Sequence, residues 1–261
     1  MSAETLPLLI LTGISEGSEP ERMVSSVRQA VTLDLVDRAL TVPVLRPVVV
    51  STNSGELAQR LSRLPIDVVV DPPDQPFHFG QRLSTLIAHY GMASCFYMGG
   101  GAGPLFPASQ MADVANSMLS ASRLLVTNNF YSSDFAAFTP TSVLEEHPLP
   151  ETDNELAWLL GEDAGLTIRE LPRTAATQFD VDTPVDLLTL SAHPDVGPHT
   201  RACLEEMALD TSAIDAALPL MLDRDATILV AGRVGSATWG YMERETACST
   251  RVLSEERGMR A

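Results

Sequence analysis

A chain of 261 residues, 45% hydrophobic and 20% charged, has an ordinary globular composition and is long enough to bury a real core. Its 34 acidic residues against 17 basic ones give a net charge of −17, which repels phosphate backbones and disfavours nucleic-acid binding. A small anionic ligand, held by local arginines or through Mg²⁺, stays compatible with that charge. Every basic residue is arginine, so mechanisms that need a lysine, such as a Schiff base or a P-loop phosphate clamp, are excluded.

No apolar run approaches the ~18 residues of a spanning helix, so no membrane partner is expected. Leu6 to Thr12 is apolar, but no basic stretch precedes it and no small-residue cleavage site follows, so it reads as a strand. Cys95, Cys203 and Cys248 are an odd set without paired spacing, which fits a reducing, cytoplasmic setting. The histidines form no metal-binding cluster.

Leu8 to Leu11 is the first predicted strand, followed by a loop from Gly13 to Pro20. Arg22 to Leu40 has helical spacing, with Val24, Val27, Val31 and Leu35 on one face. Pro47 to Ser51 is a strand, and Ser54 opens a short helix. Asp67 to Val70, a proline-rich loop, a helix over Gly80 to Tyr90 and a strand over Ser94 to Met98 come next. Continuous apolar runs alternating with helices predict an α/β fold: three α/β/α layers around a mixed, mainly parallel sheet. A glycine loop, Gly99 to Pro104, leads into a helix from about Pro107 to Ala121. Strands at Leu124 to Val126 and Asp134 to Phe138, a helix at Asn154 to Gly161 and a strand at Leu166 to Ile168 follow. The loop from Phe179 to Pro184 then enters a helix at Val185 to Leu190.

His193 to Pro198 reads as a linker, dividing the chain into 1–195 and a C-terminal extension, 196–261. That extension is predicted as helix, helix, strand at Thr227 to Val230, glycine turn and helix. Its apolar residues have few partners among themselves, so it is expected to dock on the main domain or on a second subunit of a homodimer. The arginines at 233, 244, 251, 257 and 260 can pair with Glu243, Glu245, Glu255 and Glu256, or lend charge to a site.

Ligands of an open parallel sheet bind beyond the carboxyl ends of the strands. Thr12 to Arg22, Gly80 to Arg82, Gly99 to Gly103 and Asp180 to Thr183 all fall there. Thr12-Gly13, Arg22-Met23, Gly101-Ala102-Gly103-Pro104-Leu105 and Asp180-Val181-Asp182-Thr183-Pro184 occur in the order of a known pattern. Over residues 6–190 the chain resembles nucleotidyltransferases of the nucleotide-diphospho-sugar transferase fold. The resemblance is to the molybdenum-cofactor and phospholactate-type guanylyltransferase groups.

The resemblance implies a nucleoside triphosphate or related small anionic ligand. It assigns the phosphates to Thr12, Gly13, Arg22, Gly100 and Gly101, and base and ribose to Gly80, Gln81 and Arg82. It assigns the acceptor to Asn128 and Asn129, and Mg²⁺ to Asp180 and Asp182. Asn128 and Asn129 serve equally as turn residues, and Asp182 or Thr183 as a helix cap. Two departures bear on catalysis: Ala102 stands where the family carries its first metal aspartate, and Arg28 is the nearest basic residue to the family's lysine. The expectation is a nucleotidyltransferase-like binding protein; the alternative is an active Mg²⁺-dependent enzyme that releases pyrophosphate.

Overall fold

The computed structural model describes residues 4–15, 17–72 and 76–255. Glu256, Arg257 and Arg260 of the tail lie outside them, as do Glu16 in the first loop and residues 73–75 of the proline-rich loop. Contacts divide the chain into two compact units, Met1–Ala208 and Leu209–Ala261.

The first unit is built on β1 (Leu6–Thr12), β2 (Leu45–Thr52), β3 (Asp67–Val70), β4 (Cys95–Gly99), β5 (Leu124–Thr127), β6 (Phe135–Thr139) and β7 (Thr167–Glu170). Its helices are α1 (Glu19–Leu40), α2 (Gly55–Leu61), α3 (Phe79–Tyr90), α4 (Ala108–Leu119), α5 (Leu156–Trp158), α6 (Ala175–Gln178), α7 (Pro184–Ser191) and α8 (Pro198–Met207). The sheet runs β3-β2-β1-β4-β6-β5-β7. Its pairs are parallel except where β6 meets β4 and β5. This is the mixed, mainly parallel α/β sheet that the apolar runs predict.

Successive strand residues face opposite sides, so β1 serves two layers. Leu9 and Leu11 join Phe79, Leu83 and Leu86 of α3 and Leu156 and Leu160 in one buried cluster. Leu8 and Ile10, equally buried, face the other layer, where α1 and α4 contact β1. Each fully buried leucine or isoleucine contributes roughly 1.5–3 kcal/mol.

Helix α1 is buried beyond its predicted face, with Leu33, Asp34 and Val36 also covered. The cause is α8, which packs against α1. Buried Asp34 accepts from His199 N at 3.0 Å, Thr200 N at 2.9 Å and Thr200 Oγ1 at 2.6 Å, so it satisfies the first turn of α8. The predicted division near 195 therefore meets a chain whose next helix belongs to the first unit.

The second unit contains α9 (Ser212–Met221), β8 (Thr227–Gly232), α10 (Ser236–Glu245) and β9 (Ser249–Ser254), with β8 and β9 parallel. Strand β9 was not among the predicted elements, because its run STRVLS carries few apolar residues. Among the described residues of this unit, Thr250 alone is buried, while Leu222, Leu229 and Leu253 are well exposed. A segment without an apolar core lacks the burial that offsets chain entropy. Expressed alone, residues 209–261 should show no cooperative thermal transition by circular dichroism; a sharp transition would refute this.

Candidate functional site

The carboxyl ends of β1, β2 and β4 and the amino end of antiparallel β6 surround a cavity of about 780 Å³. Its first wall is the loop after β1. Asn53 holds that loop at both backbone atoms, accepting from Ile14 N at 2.8 Å and donating to Ile14 O at 3.3 Å. Thr12 Oγ1 is buried there without a hydrogen-bond partner among the described residues.

The second wall lies between β2 and α3. Arg82 Nη2 is 2.5 Å from Asp71 Oδ1, with side chains only 17% and 16% exposed. Ser51 Oγ joins them, donating to Asp71 at 2.6 Å and accepting from Arg82 Nε at 2.8 Å. This triad fixes the plane of Arg82 while keeping it on the cavity surface. Ser51→Ala removes both hydrogen bonds at a cost of about 1–2 kcal/mol. It should lower the melting temperature by about 2–8 °C in a thermal shift assay; an unchanged value would show the triad adds nothing.

The floor is the glycine loop after β4. Gly100 N donates to Leu11 O at 2.9 Å, which locks the loop to the end of β1. Gly103 has φ +60°, a left-handed turn that favours glycine. Ala102 and Asp180 form an isolated antiparallel bridge, with Val181 N to Gly101 O and Gly103 N to Phe179 O both 3.2 Å. The motif carrying Asp180 thus sits directly beside the loop that holds Ala102.

The remaining wall is acidic. Buried Tyr97 donates to Asp153 Oδ2 at 3.0 Å. Burial, reinforced by Asp153, pushes the phenol well above its usual range, so Tyr97 stays a neutral donor. Burial also raises the Asp134 and Asp153 carboxyls, opposed by hydrogen bonds from Asn128 and Tyr97 respectively. Asp180 is pushed up to about 7, first by burial and then by Asp182 and Asp134, against the pull of Arg28. The lining carboxylates are Asp71, Asp134, Glu151, Asp153 and Asp180; against them stand Arg28 and Arg82.

The cavity gathers Thr12, Gly13, Gln81, Arg82, Gly100, Gly101 and Asp180 from the residues singled out in the sequence. Arg22, Gly80, Asn128, Asn129 and Asp182 are not among its lining residues. Arg22 Nη1 donates to Gly17 O at 2.6 Å, and the start of α1 is capped from within, Ser18 N reaching Glu21 Oε2 at 2.6 Å. Gly80 is buried under Pro150, where a side chain would collide with the Pro150 carbonyl. Asn128 bonds Asp134 Oδ2 at 2.6 Å and accepts from Asp134 N at 3.1 Å, closing the turn before β6. Thr183 caps α7, its backbone N–H and hydroxyl both reaching Asp186. Tyr97, Asp134, Asp153 and Asn53 complete the site and carried no motif in the sequence.

The Mg²⁺ implied by the sequence resemblance does not fit this donor set. Ala102 offers no side-chain oxygen, and Asp182 Oδ1 is bonded to Arg28 Nη2 at 2.5 Å. Among the described residues, no three His, Cys, Asp or Glu side chains converge as a metal site. No described helix is long and apolar enough to cross a membrane.

No family model matches the sequence, and no curated protein matches it either. Solved structures do match. A protein from Desulfovibrio desulfuricans, assigned as a nucleotide-diphospho-sugar transferase, is similar with a TM-score of 0.57 at 14% identity, covering 78% of this chain and 96% of that one. The fold is that of the nucleotide-diphospho-sugar transferases. A nucleotidyl transferase from Methanothermobacter matches with a TM-score of 0.55 at 14% identity, covering 71% of this chain and 95% of that one. A CMP:2-keto-3-deoxy-manno-octonic acid synthetase complexed with CTP matches with a TM-score of 0.51 at 16% identity, over 82% of this chain and 100% of its own. At these identities the likeness is one of fold. Within this fold the cavity occupies the position where ligands of open α/β sheets bind.

Proposed function

We propose that the first unit binds a nucleotide, or a small molecule linked to one, and does not carry out ordinary metal-assisted nucleotidyl transfer. The observation that carries this reading is Ala102. It is 1% exposed, bridged to Asp180, and presents a methyl group where the family's pattern needs a metal carboxylate. Phosphoryl-transfer catalysis is mostly positioning and charge stabilisation, so losing that ligand removes much of the rate. Ligand recognition does not depend on that carboxylate: Gln81 and Arg82 are available to base and ribose, and Gly13 and Gly101 to phosphates. The synthetase of the same fold that is complexed with CTP supports a nucleotide in this class of cavity.

An active transferase is the second reading, favoured by the 180–184 motif, whose Asp180 lines the cavity. One experiment separates the two. Nucleoside triphosphates are screened with and without Mg²⁺ for thermal shift and for pyrophosphate release. Stabilisation without release is the expected result; release with any added acceptor would favour the enzyme, and no shift with any nucleotide would refute both.

A further inference from the structure

Arg28 extends from α1 into the gap between the glycine loop after β4 and the segment 180–182. Its Nε donates to Val181 O at 2.6 Å and its Nη2 to Asp182 Oδ1 at 2.5 Å. A Cβ placed on Gly101 would lie 2.8 Å from Arg28 Nε and 3.0 Å from Asp180 Oδ1, so the guanidinium and that carboxylate converge on one spot above the loop. In the sequence pattern these are the two segments that supply metal carboxylates. Here one of them holds alanine and the other holds an arginine.

The charge in the cavity makes this placement consequential. A phosphate entering beside Asp134, Asp153 and Asp180 needs a positive charge at hand. Arg82 is matched by the mostly buried Asp71, and Arg22 is not a lining residue. Arg28 is matched by Asp182, whose side chain is 65% exposed. An exposed ion pair is worth little, about 0–1 kcal/mol, so Asp182 gives way to a phosphate at small cost. A guanidinium has five N–H donors, of which two have acceptors among the described residues. The others remain for a ligand in the cavity that Arg28 lines.

We propose that Arg28 takes the part of the divalent cation in this fold. It pairs with Asp182, offsets part of the repulsion on Asp180, and supplies the fixed positive charge for a phosphate-bearing ligand, so binding needs no divalent metal. The ligand half of this inference rests on the anion-binding part of the reading above; the exclusion of metal by Arg28 stands apart from it.

The test uses the full-length protein, Arg28→Gln and Arg28→Lys, with thermal melts to show that each folds. Inorganic pyrophosphate, CTP and GTP are titrated calorimetrically in Mg²⁺ and in excess EDTA, and Mn²⁺ is titrated on unliganded protein by electron paramagnetic resonance. Wild-type pyrophosphate affinity should agree within about twofold between Mg²⁺ and EDTA. Arg28→Gln should lose at least about tenfold in EDTA and recover in Mg²⁺, with Arg28→Lys between them. Arg28→Gln should also bind more Mn²⁺ than wild type, since the surface carboxylates common to both cancel. A tenfold loss of wild-type affinity in EDTA would overturn the inference, as would wild-type Mn²⁺ uptake equal to that of Arg28→Gln. Absence of pyrophosphate binding to wild type would overturn it too. Pyrophosphate binding with no gain for either nucleotide would refute the nucleotide reading and leave the Arg28 inference standing.

Discussion

Replacing Asp180 by asparagine should stabilise the first unit above neutral pH and leave its stability unchanged near pH 4. In the unfolded chain Asp180 ionises around its ordinary value of 3.8, whereas in the cavity it ionises only at about 7. Between those values the folded state holds a proton that the unfolded state has released. Stability therefore falls as pH rises across that window and stays at its lower level above it. The largest cause is burial, followed by repulsion from Asp182 and Asp134; Arg28 offsets part of it. A neutral asparagine of the same shape escapes this penalty, worth roughly 2–4 kcal/mol above the window. Melting temperatures of the two proteins should coincide near pH 4 and separate by at least about 4 °C near pH 8. Asparagine lowering the melting temperature near pH 8 would mean that Arg28 outweighs the like charges. Carboxylates whose ionisation is opposed by burial and by neighbouring like charge cluster at functional sites, and the ligand-binding role proposed for this cavity gives the penalty a use.

The sheet was legible because each strand announces itself in one stretch. Leu8 to Leu11 and Val48 to Val50 are unbroken apolar runs, as strands covered on both faces must be, and Val68 to Val70 is an equally apolar run although it forms a partly exposed edge strand. The glycine loop and the 180–184 motif were equally local, and both border the cavity. Arg28 was noticed only as a substitute for a missing lysine, because its partners Val181 and Asp182 stand more than 150 positions away. The acidic wall escaped for a related reason. Asp134 reaches the carboxyl end of β4 because β6 runs antiparallel to it, with Met98 opposite Phe135. A reading that takes every strand as parallel sends that aspartate to the other end of the sheet. Asp153 lies on a short 3-10 turn and meets Tyr97 across 56 positions, where no periodicity operates.

The start of α1 shows the converse case, in which a pattern was present and another interaction took it. Backbone N–H groups at a helix start make an anion site when they are open. Here Glu21 closes the turn onto Ser18, and those hydrogen bonds hold its carboxyl below the ordinary value. The tool for closing it, Ser18 followed by Glu21, was in the sequence as a capping box. The same physics explains α8: its first turn, just past the apparent linker, is held by Asp34, a buried carboxylate that accepts from backbone N–H groups more than 160 positions on.

Gly100→Ala should be among the most destabilising single substitutions in the first unit. A Cβ at this position would stand 2.1 Å from Thr12 Oγ1, 2.3 Å from Thr12 Cβ and 3.0 Å from Thr12 Cα. The first atom belongs to a side chain that is itself buried, and the last is backbone of β1, so neither can turn aside. Relief requires the ends of β1 and β4 to separate, which breaks the Gly100 N to Leu11 O hydrogen bond at the floor of the cavity. Overpacking a core costs typically 1–3 kcal/mol and more where the clash is with backbone, so a loss of about 3 kcal/mol or more is expected. That lowers the melting temperature by at least about 6 °C. Thr12→Gly removes the two closest atoms and leaves only the Cα approach. The double substitution Thr12→Gly with Gly100→Ala should therefore be more stable than the sum of its single effects implies, a coupling that distant sites do not show. Additive losses would mean that the two strand ends are not in contact as described, and would remove the floor on which the glycine loop, Ala102 and Arg28 are arranged.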